Sequence, residues 1–283
     1  MGNALKTTLL LGALSGLLVG LGYTLGGPGA ALMALVFAGL MNMMAYWFSD
    51  KLALRMAGAR EVSQQEEPRL HAIVYEVAQL AGVPKPRVFI VNNESPNAFA
   101  TGRDPKHAVV AATTGIMRIL DDRELRAVIG HEVGHVKNRD ILTSSIAATM
   151  AGAISYLGMM AFWFGGAFGG RDRNNALFGL LAFIFAPIAA AILQMALSRT
   201  REYAADRSGA EYTHDPEALA SALAKLHNGV QVRPMAQTAG AQATSSLYIV
   251  HPFAGGGLGN LFSTHPPVEE RIRRLRRLAG YLE

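Results

Sequence analysis

His131-Glu132-Val133-Gly134-His135 lies inside a helical pattern that starts at Asp121 and runs through Leu125, Val128 and Val133. Asp121 followed three residues later by Glu124 carries the signature of a capping box, which places a helix start just ahead of the motif. Residues four apart share a helix face, so both imidazoles can reach one cation while Glu132 projects beside them toward a bound water. Neutral imidazoles suit zinc, and a carboxylate in that place can take a proton from water activated by the ion. On an ordinary helix surface the same residues would only be solvated or cap nearby carbonyls. The capped start before the motif and the apolar run after it argue against that reading.

A catalytic zinc keeps three protein ligands and one open position, and the chain contains no cysteine, so the third donor must be nitrogen or oxygen. Glu202 is the best candidate. The chain leaves the motif through one uncharged stretch, Ile141 to Gly170, turns at Arg171-Asp172-Arg173, and returns through a second, Asn174 to Ser198. Out and back are of similar length, which returns Glu202 to the height of His135. Asp206, four residues on, shares the Glu202 face and can accept a hydrogen bond from the far nitrogen of a ligating histidine; the simpler alternative is a salt bridge with Arg199, Arg201 or Arg207. Asp140 is read as a cap or ion pair near the membrane surface, with no chemistry assigned.

The uncharged stretches also set the fold class. Thr7 to Ser49 carries no charge and is interrupted by Gly26-Gly27-Pro28-Gly29. About 20 residues of helix cross a bilayer, so this run is long enough for two spans around a turn. Expected spans lie near 8–25, 30–48, 145–166 and 177–197, giving four transmembrane helices in two hairpins. Lys6 before the first span and Lys51, Arg55 and Arg60 after the second place both termini in the cytoplasm. The expected division is an N-terminal hairpin over 1–49, a first cytoplasmic block over 50–143 containing the motif helix, a second hairpin over 144–198, and a second cytoplasmic block over 199–283. The two blocks lie on one side of the membrane and form one domain. Within it, Leu70 to Leu80 reads as a helix ending at Gly82, and Arg87 to Val91 and Ala108 to Ala112 as short strands.

Composition agrees. The 283 residues are 51% apolar and 17% charged, which excludes a disordered chain, a collagen or a disulfide scaffold. A net charge of +5 is accounted for by basic membrane flanks, so nucleic acid is not an expected partner.

Four segments together carry a family resemblance: Asn97-Ala98-Phe99-Ala100-Thr101-Gly102, the His131 to His135 motif, Ser198-Arg199-Thr200-Arg201-Glu202-Tyr203-Ala204-Ala205-Asp206, and Ser263-Thr264-His265-Pro266-Pro267 ahead of Glu270-Arg271-Ile272. In this order they resemble the HtpX-type membrane metalloproteases of the M48 peptidase family, relatives of the CAAX prenyl endopeptidases and the mitochondrial Oma-type peptidases. The resemblance implies a gluzincin-like α+β peptidase domain on the cytoplasmic face of a predominantly α membrane protein. It further implies one zinc per chain held by His131, His135 and Glu202, Glu132 as general base, and Asp206 behind His131. Asn97, Ala98, Phe99 and Ala100 would receive an extended substrate at the cleft edge. Membrane-protein or unfolded polypeptide substrates, a bacterial inner membrane and a role in membrane-protein quality control follow from the same resemblance.

Some residues keep two readings. Asn97 either fixes a turn after Pro96 or, if the following residues form an exposed sheet edge, helps a peptide pair by β-augmentation. His265 either donates to the developing oxyanion as a catalytic residue or ties the C-terminal segment to the domain. For Arg271, a pair with Glu269 or Glu270 is simpler than reaching the cleft. Tyr203 points about 100° from Glu202 and is read as packing. The basic residues from Arg271 to Arg277 form a solvated helix face, or touch anionic lipid. A noncatalytic membrane scaffold held together by zinc is the alternative function. A transporter is disfavoured because the four spans carry no Asp, Glu, Lys, Arg or His, the usual coupling groups.

Overall fold

The computed structural model describes residues 3–146, 199–253 and 266–280. The expected spans at 145–166 and 177–197 fall almost wholly outside these, as does His265.

Helix α1 (Asn3–Met56) is helical throughout its length but not straight. Gly27 has φ +69°, a left-handed conformation that glycine adopts without strain, and Pro28 follows it. The Asn42 side-chain amide donates to the Ser15 hydroxyl at 2.9 Å, although a straight helix would hold these residues about 40 Å apart at 1.5 Å per residue. The chain therefore doubles back at the glycine–proline cluster. The portion Gly27–Met56 is, among the described residues, the one helix long and apolar enough to cross a membrane, and little of it is covered by protein. Leu32, Met33, Leu35, Val36, Phe37, Leu40 and Met43 all stand exposed along it.

The helix does not stop at the expected boundary near 49. It continues to Met56, and Ala53 and Leu54 are buried in the core of the folded domain. A short connection then enters a four-stranded sheet: β1 (Ala59–Glu61), β2 (Arg87–Val91), β3 (Ala98–Thr101) and β4 (Val109–Thr113), in spatial order β1-β2-β4-β3. β2 and β4 run parallel, with Val88 opposite Val110; β1 and β3 are antiparallel edges. Alternation along the strands sorts side chains to two faces. Val88, Ile90, Ala98, Ala100, Val110 and Ala112 face one core, against α2 (Pro68–Ala81) and α4 (Asp122–Lys137). Phe89, Val91, Phe99, Val109 and Ala111 face a second core made with Ala53, Leu54, Leu247 and Tyr248. The sheet is thus covered on both faces, and the end of α1 is part of its second layer.

α3 (Thr114–Ile119) leads into α4, where the expected capping box forms: Asp121 accepts from the Glu124 N–H at 2.8 Å and Glu124 accepts from the Asp121 N–H at 3.2 Å. Glu124 also accepts from Ser221 and Lys225 of α6 (Pro216–Val232), both at 2.7 Å, fixing the start of the motif helix to its neighbour. α5 (Arg199–Thr213) crosses α4, α7 (Ala239–Thr244) packs on the end of α1, and α8 (Val268–Leu278) lies on α6 and α5.

Candidate metal centre

The crossing of α4 and α5 builds the site, and it depends on glycine. A Cβ at Gly209 would sit 2.7 Å from the His131 backbone nitrogen, and one at Gly130 would sit 3.1 Å from the Gly209 carbonyl. Without side chains at these positions the two helix backbones approach closely, and Glu202, two turns before Gly209, reaches the histidines. His131 Nε2 and His135 Nε2 lie 3.2 Å apart; Glu202 carboxylate oxygens lie 3.7 Å from the former and 3.5 Å from the latter. A tetrahedral ion with bonds of about 2.0–2.1 Å separates its ligand atoms by about 3.3–3.4 Å. The three residues can therefore hold a metal ion, and their donor atoms all fall within 4.8 Å of one another. Glu132 is buried beside them, and its Oε1 has no hydrogen-bond partner among the described residues.

Behind each imidazole stands a carboxylate. His131 Nδ1 donates to Asp206 at 2.9 Å, which leaves Nε2 with its lone pair toward the cluster. His135 Nδ1 lies 3.3 Å from Asp140. Asp140 reaches this place because Arg139, at φ +57°, turns the chain back after α4, and the Asp140 N–H donates to the His135 carbonyl at 3.0 Å. A non-glycine residue in a left-handed conformation gave no sequence signal for that turn. Arg201, nearly buried, contributes positive charge between Asp140 and Glu202.

Asp206 is not paired with Arg199, Arg201 or Arg207. Its partner is Arg271 of α8, whose Nε and Nη2 donate to the carboxylate at 2.8 and 2.6 Å. Arg271 is fully buried, so the simpler pairing with Glu269 or Glu270 does not occur; Arg273 and Arg274 take Glu270 instead. An arginine among five on one short helix looks like solvated charge in the sequence. Only the docking of α8 turns position 271 inward. Tyr203 packs under the Arg274 guanidinium, 3.8 Å from the ring centre.

Burial and charge set the protonation states. Desolvation pushes the His131 imidazole down to about 4. Burial opposes the charged form of His135 too, but its hydrogen bond to Asp140 and the Glu202 and Glu132 carboxylates outweigh this and raise it to about 9. Desolvation lifts the Glu132 carboxyl to about 7. Burial works against the Asp206 carboxylate, yet the Arg271 charge and hydrogen bonds hold it at about 2.

The Asn97 to Ala100 segment forms the start of the β3 edge, but it is not an open edge. All four residues are buried. The Asn97 side chain joins two backbone segments: Nδ2 donates to the Val250 carbonyl at 2.8 Å, and Oδ1 accepts from the Val250 N–H at 3.3 Å and from the Ala98 N–H at 3.2 Å. The Ala98 carbonyl accepts from the Ile249 N–H at 3.0 Å, and the Ala100 N–H faces the Glu132 carboxylate.

A family model for peptidase family M48 matches residues 64–279. The chain is 53% identical over 282 residues to a protease HtpX homolog of Persephonella marina, covering 98% of each chain. It is 50% identical to one of Ralstonia pickettii and 51% identical to one of Thermococcus kodakarensis, covering 96% or more of every chain in both cases. Among solved structures, S. mikatae Ste24p is similar in fold at a TM-score of 0.51 and 17% identity; 96% of this chain is covered, spanning 65% of that one. The family model and these full-length relatives, on a fold that brings two motif histidines and a helix-borne glutamate together, establish that the chain belongs to peptidase family M48.

Proposed function

We propose that the chain is a zinc-dependent endopeptidase that cuts cytoplasmic or membrane-proximal segments of damaged membrane proteins, held in a bacterial inner membrane by four helices in two hairpins with both termini in the cytoplasm. The observation that carries the chemistry is the convergence of His131 Nε2, His135 Nε2 and the Glu202 carboxylate beside the Oε1 of Glu132, which has no hydrogen-bond partner among the described residues. In this reading the first three hold one zinc. A zinc ion held there would supply Lewis acidity for the scissile carbonyl and for the attacking water.

The chain's own residues do the rest. Glu132, buried beside the three candidate ligands, takes the proton from the attacking water and delivers it to the departing amine. Asp206 and Asp140 orient His131 and His135 and make them better donors. Asn97 to Ala100 flank the Glu132 side of the site as the substrate edge, and His265 stands as a further donor to the oxyanion. The reversal of α1 at Gly27, the bare apolar surface of Gly27–Met56, and the identity to HtpX homologs support the membrane hairpins.

A matched digestion of an unfolded membrane-protein segment by wild type and Glu132→Gln, with zinc measured in both, tests the assignment. Zinc in both and cleavage by wild type alone are expected. Equal zinc with no cleavage by either favours a metal-supported scaffold. Single cysteines placed at Gly29 and Ser63 of this cysteine-free chain should label from opposite sides of the membrane; labelling from one side removes the hairpin.

A further inference from the structure

Three consecutive residues, Tyr248-Ile249-Val250, are bound in this structure as a peptide would be. Their side chains are buried in the two cores, and their backbone groups are held one by one. The Ile249 N–H donates to the Ala98 carbonyl on the outer side of β3 at 3.0 Å. The Ile249 carbonyl accepts from Arg271 Nη1 at 2.7 Å. Val250 is read at both its N–H and its carbonyl by the single Asn97 amide. Tyr248 is extended, with φ −70° and ψ 146°, and its ring packs edge-on against Phe99 at 5.1 Å.

The place matters as much as the bonding. Register along β3 sets which of its groups face outward. The Asn97 carbonyl accepts from the Thr113 N–H, so in an antiparallel pair Ala98 and Ala100, which alternate with it, turn their N–H and carbonyl groups away from β4. The Ala98 carbonyl takes Ile249, and the Ala100 N–H faces Glu132. The Arg271 guanidinium that holds the Ile249 carbonyl also holds Asp206, and its Nη1 lies 4.0 Å from Glu202. The segment therefore lies along the sheet edge that borders the three candidate ligands and the base.

We infer that Tyr248-Ile249-Val250 is an internal stand-in for substrate: it fills the peptide-binding edge at Ala98 and Asn97, and an extended polypeptide carrying a bulky aliphatic residue in the place of Ile249 displaces it. This rests on the peptidase reading above. Backbone donors and acceptors recognise any extended chain, while the buried setting of Ile249 selects an apolar side chain. A folded protein loop offers neither, so the exchange favours locally unfolded apolar segments. Competition with a tethered segment also explains why an apolar edge beside a hydrolytic centre is fully covered in the resting chain.

Hydrogen exchange on the full-length, zinc-loaded Glu132→Gln protein in lipid nanodiscs tests this, with and without an unfolded membrane-protein peptide that wild type cleaves. The Ile249 and Val250 amides should lose at least tenfold protection when that peptide binds. Binding with both amides still protected would show that the segment is a fixed wall of the core and overturns the inference while leaving the peptidase intact. As a second arm, Ile249→Gly should lower KM for the same peptide severalfold at unchanged kcat. A raised KM in a folded, zinc-loaded Ile249→Gly protein also counts against it. Failure of wild type to cleave any unfolded peptide removes the peptidase reading, and the inference with it.

Discussion

Replacing Arg271 by methionine tests the energetics of the site most directly, because it removes one buried charge and strands another. Arg271 is fully buried and Asp206 nearly so. Arg271 gives the Asp206 carboxylate two hydrogen bonds and holds it at about 2 against an ordinary 3.8. At 1.36 kcal/mol per pKa unit, the stabilisation of the ionised form is about 2 kcal/mol. Once the arginine is gone the carboxylate also bears an uncompensated burial cost, and breaking a buried pair from one side typically costs about 3–5 kcal/mol. The sign with pH follows from the depressed value. The Asp206 contribution is present above pH 4 and is lost as pH falls toward 2, so wild type should have a steep acid limb that Arg271→Met flattens. Unfolding should be followed in metal-free protein by pulse proteolysis in mild detergent, since bound zinc would mask the change and metal-free protein cannot digest itself. Arg271→Met is expected to lose about 3–5 kcal/mol, Asp206→Asn less, and the double variant well under the sum, by about 2 kcal/mol. Additivity of the two single changes within about 0.5 kcal/mol would refute the pairing.

Three further outcomes follow from the same geometry. Glu132 has its carboxyl raised from 4.5 to about 7, so metal-free wild type should lose stability as pH rises from 4.5 through 7, by about 3 kcal/mol at the upper end; Glu132→Gln, whose amide stays neutral, should be the more stable protein at pH 8 in the same unfolding assay. Asp140→Asn should keep the fold and weaken zinc retention about 10–100-fold in competition with a chelator, because His135 loses the carboxylate that fixes its tautomer; unchanged affinity would make Asp140 a helix-end residue only. Gly209→Ala places a methyl 2.7 Å from the His131 backbone nitrogen and should cost about 1–3 kcal/mol together with zinc affinity, measured by thermal melting and metal titration, as α4 and α5 are pushed apart.

Much of this was open to reading residue by residue. The capping box, the helix ending at Gly82, and strands close to those at Arg87–Val91 and Val109–Thr113 follow from local rules that act within a few residues. The third candidate ligand, Glu202, came from chain length: two uncharged runs of similar extent bring the chain back beside the motif. The extension of α1 to Met56 has no signal in the apolar pattern, because charge at Asp50 and Lys51 marks the edge of the apolar run and not the end of the helix. Asp140 beside His135 has no sequence signal, because its route back runs through a left-handed arginine.

Periodicity and motif spacing determined that two histidines share a helix face with a glutamate beside them, that the chain returns a further carboxylate to that height, and that it carries apolar runs long enough to cross a bilayer. These are properties of chain geometry over one turn or one excursion, and no packing is needed to fix them. Which arginine of α8 turns inward, how closely glycine lets α4 and α5 cross, and which backbone fills the edge of β3 were settled only by tertiary structure. Each joins residues distant in sequence through groups every residue carries, or through the absence of a side chain, and neither leaves a pattern along the chain.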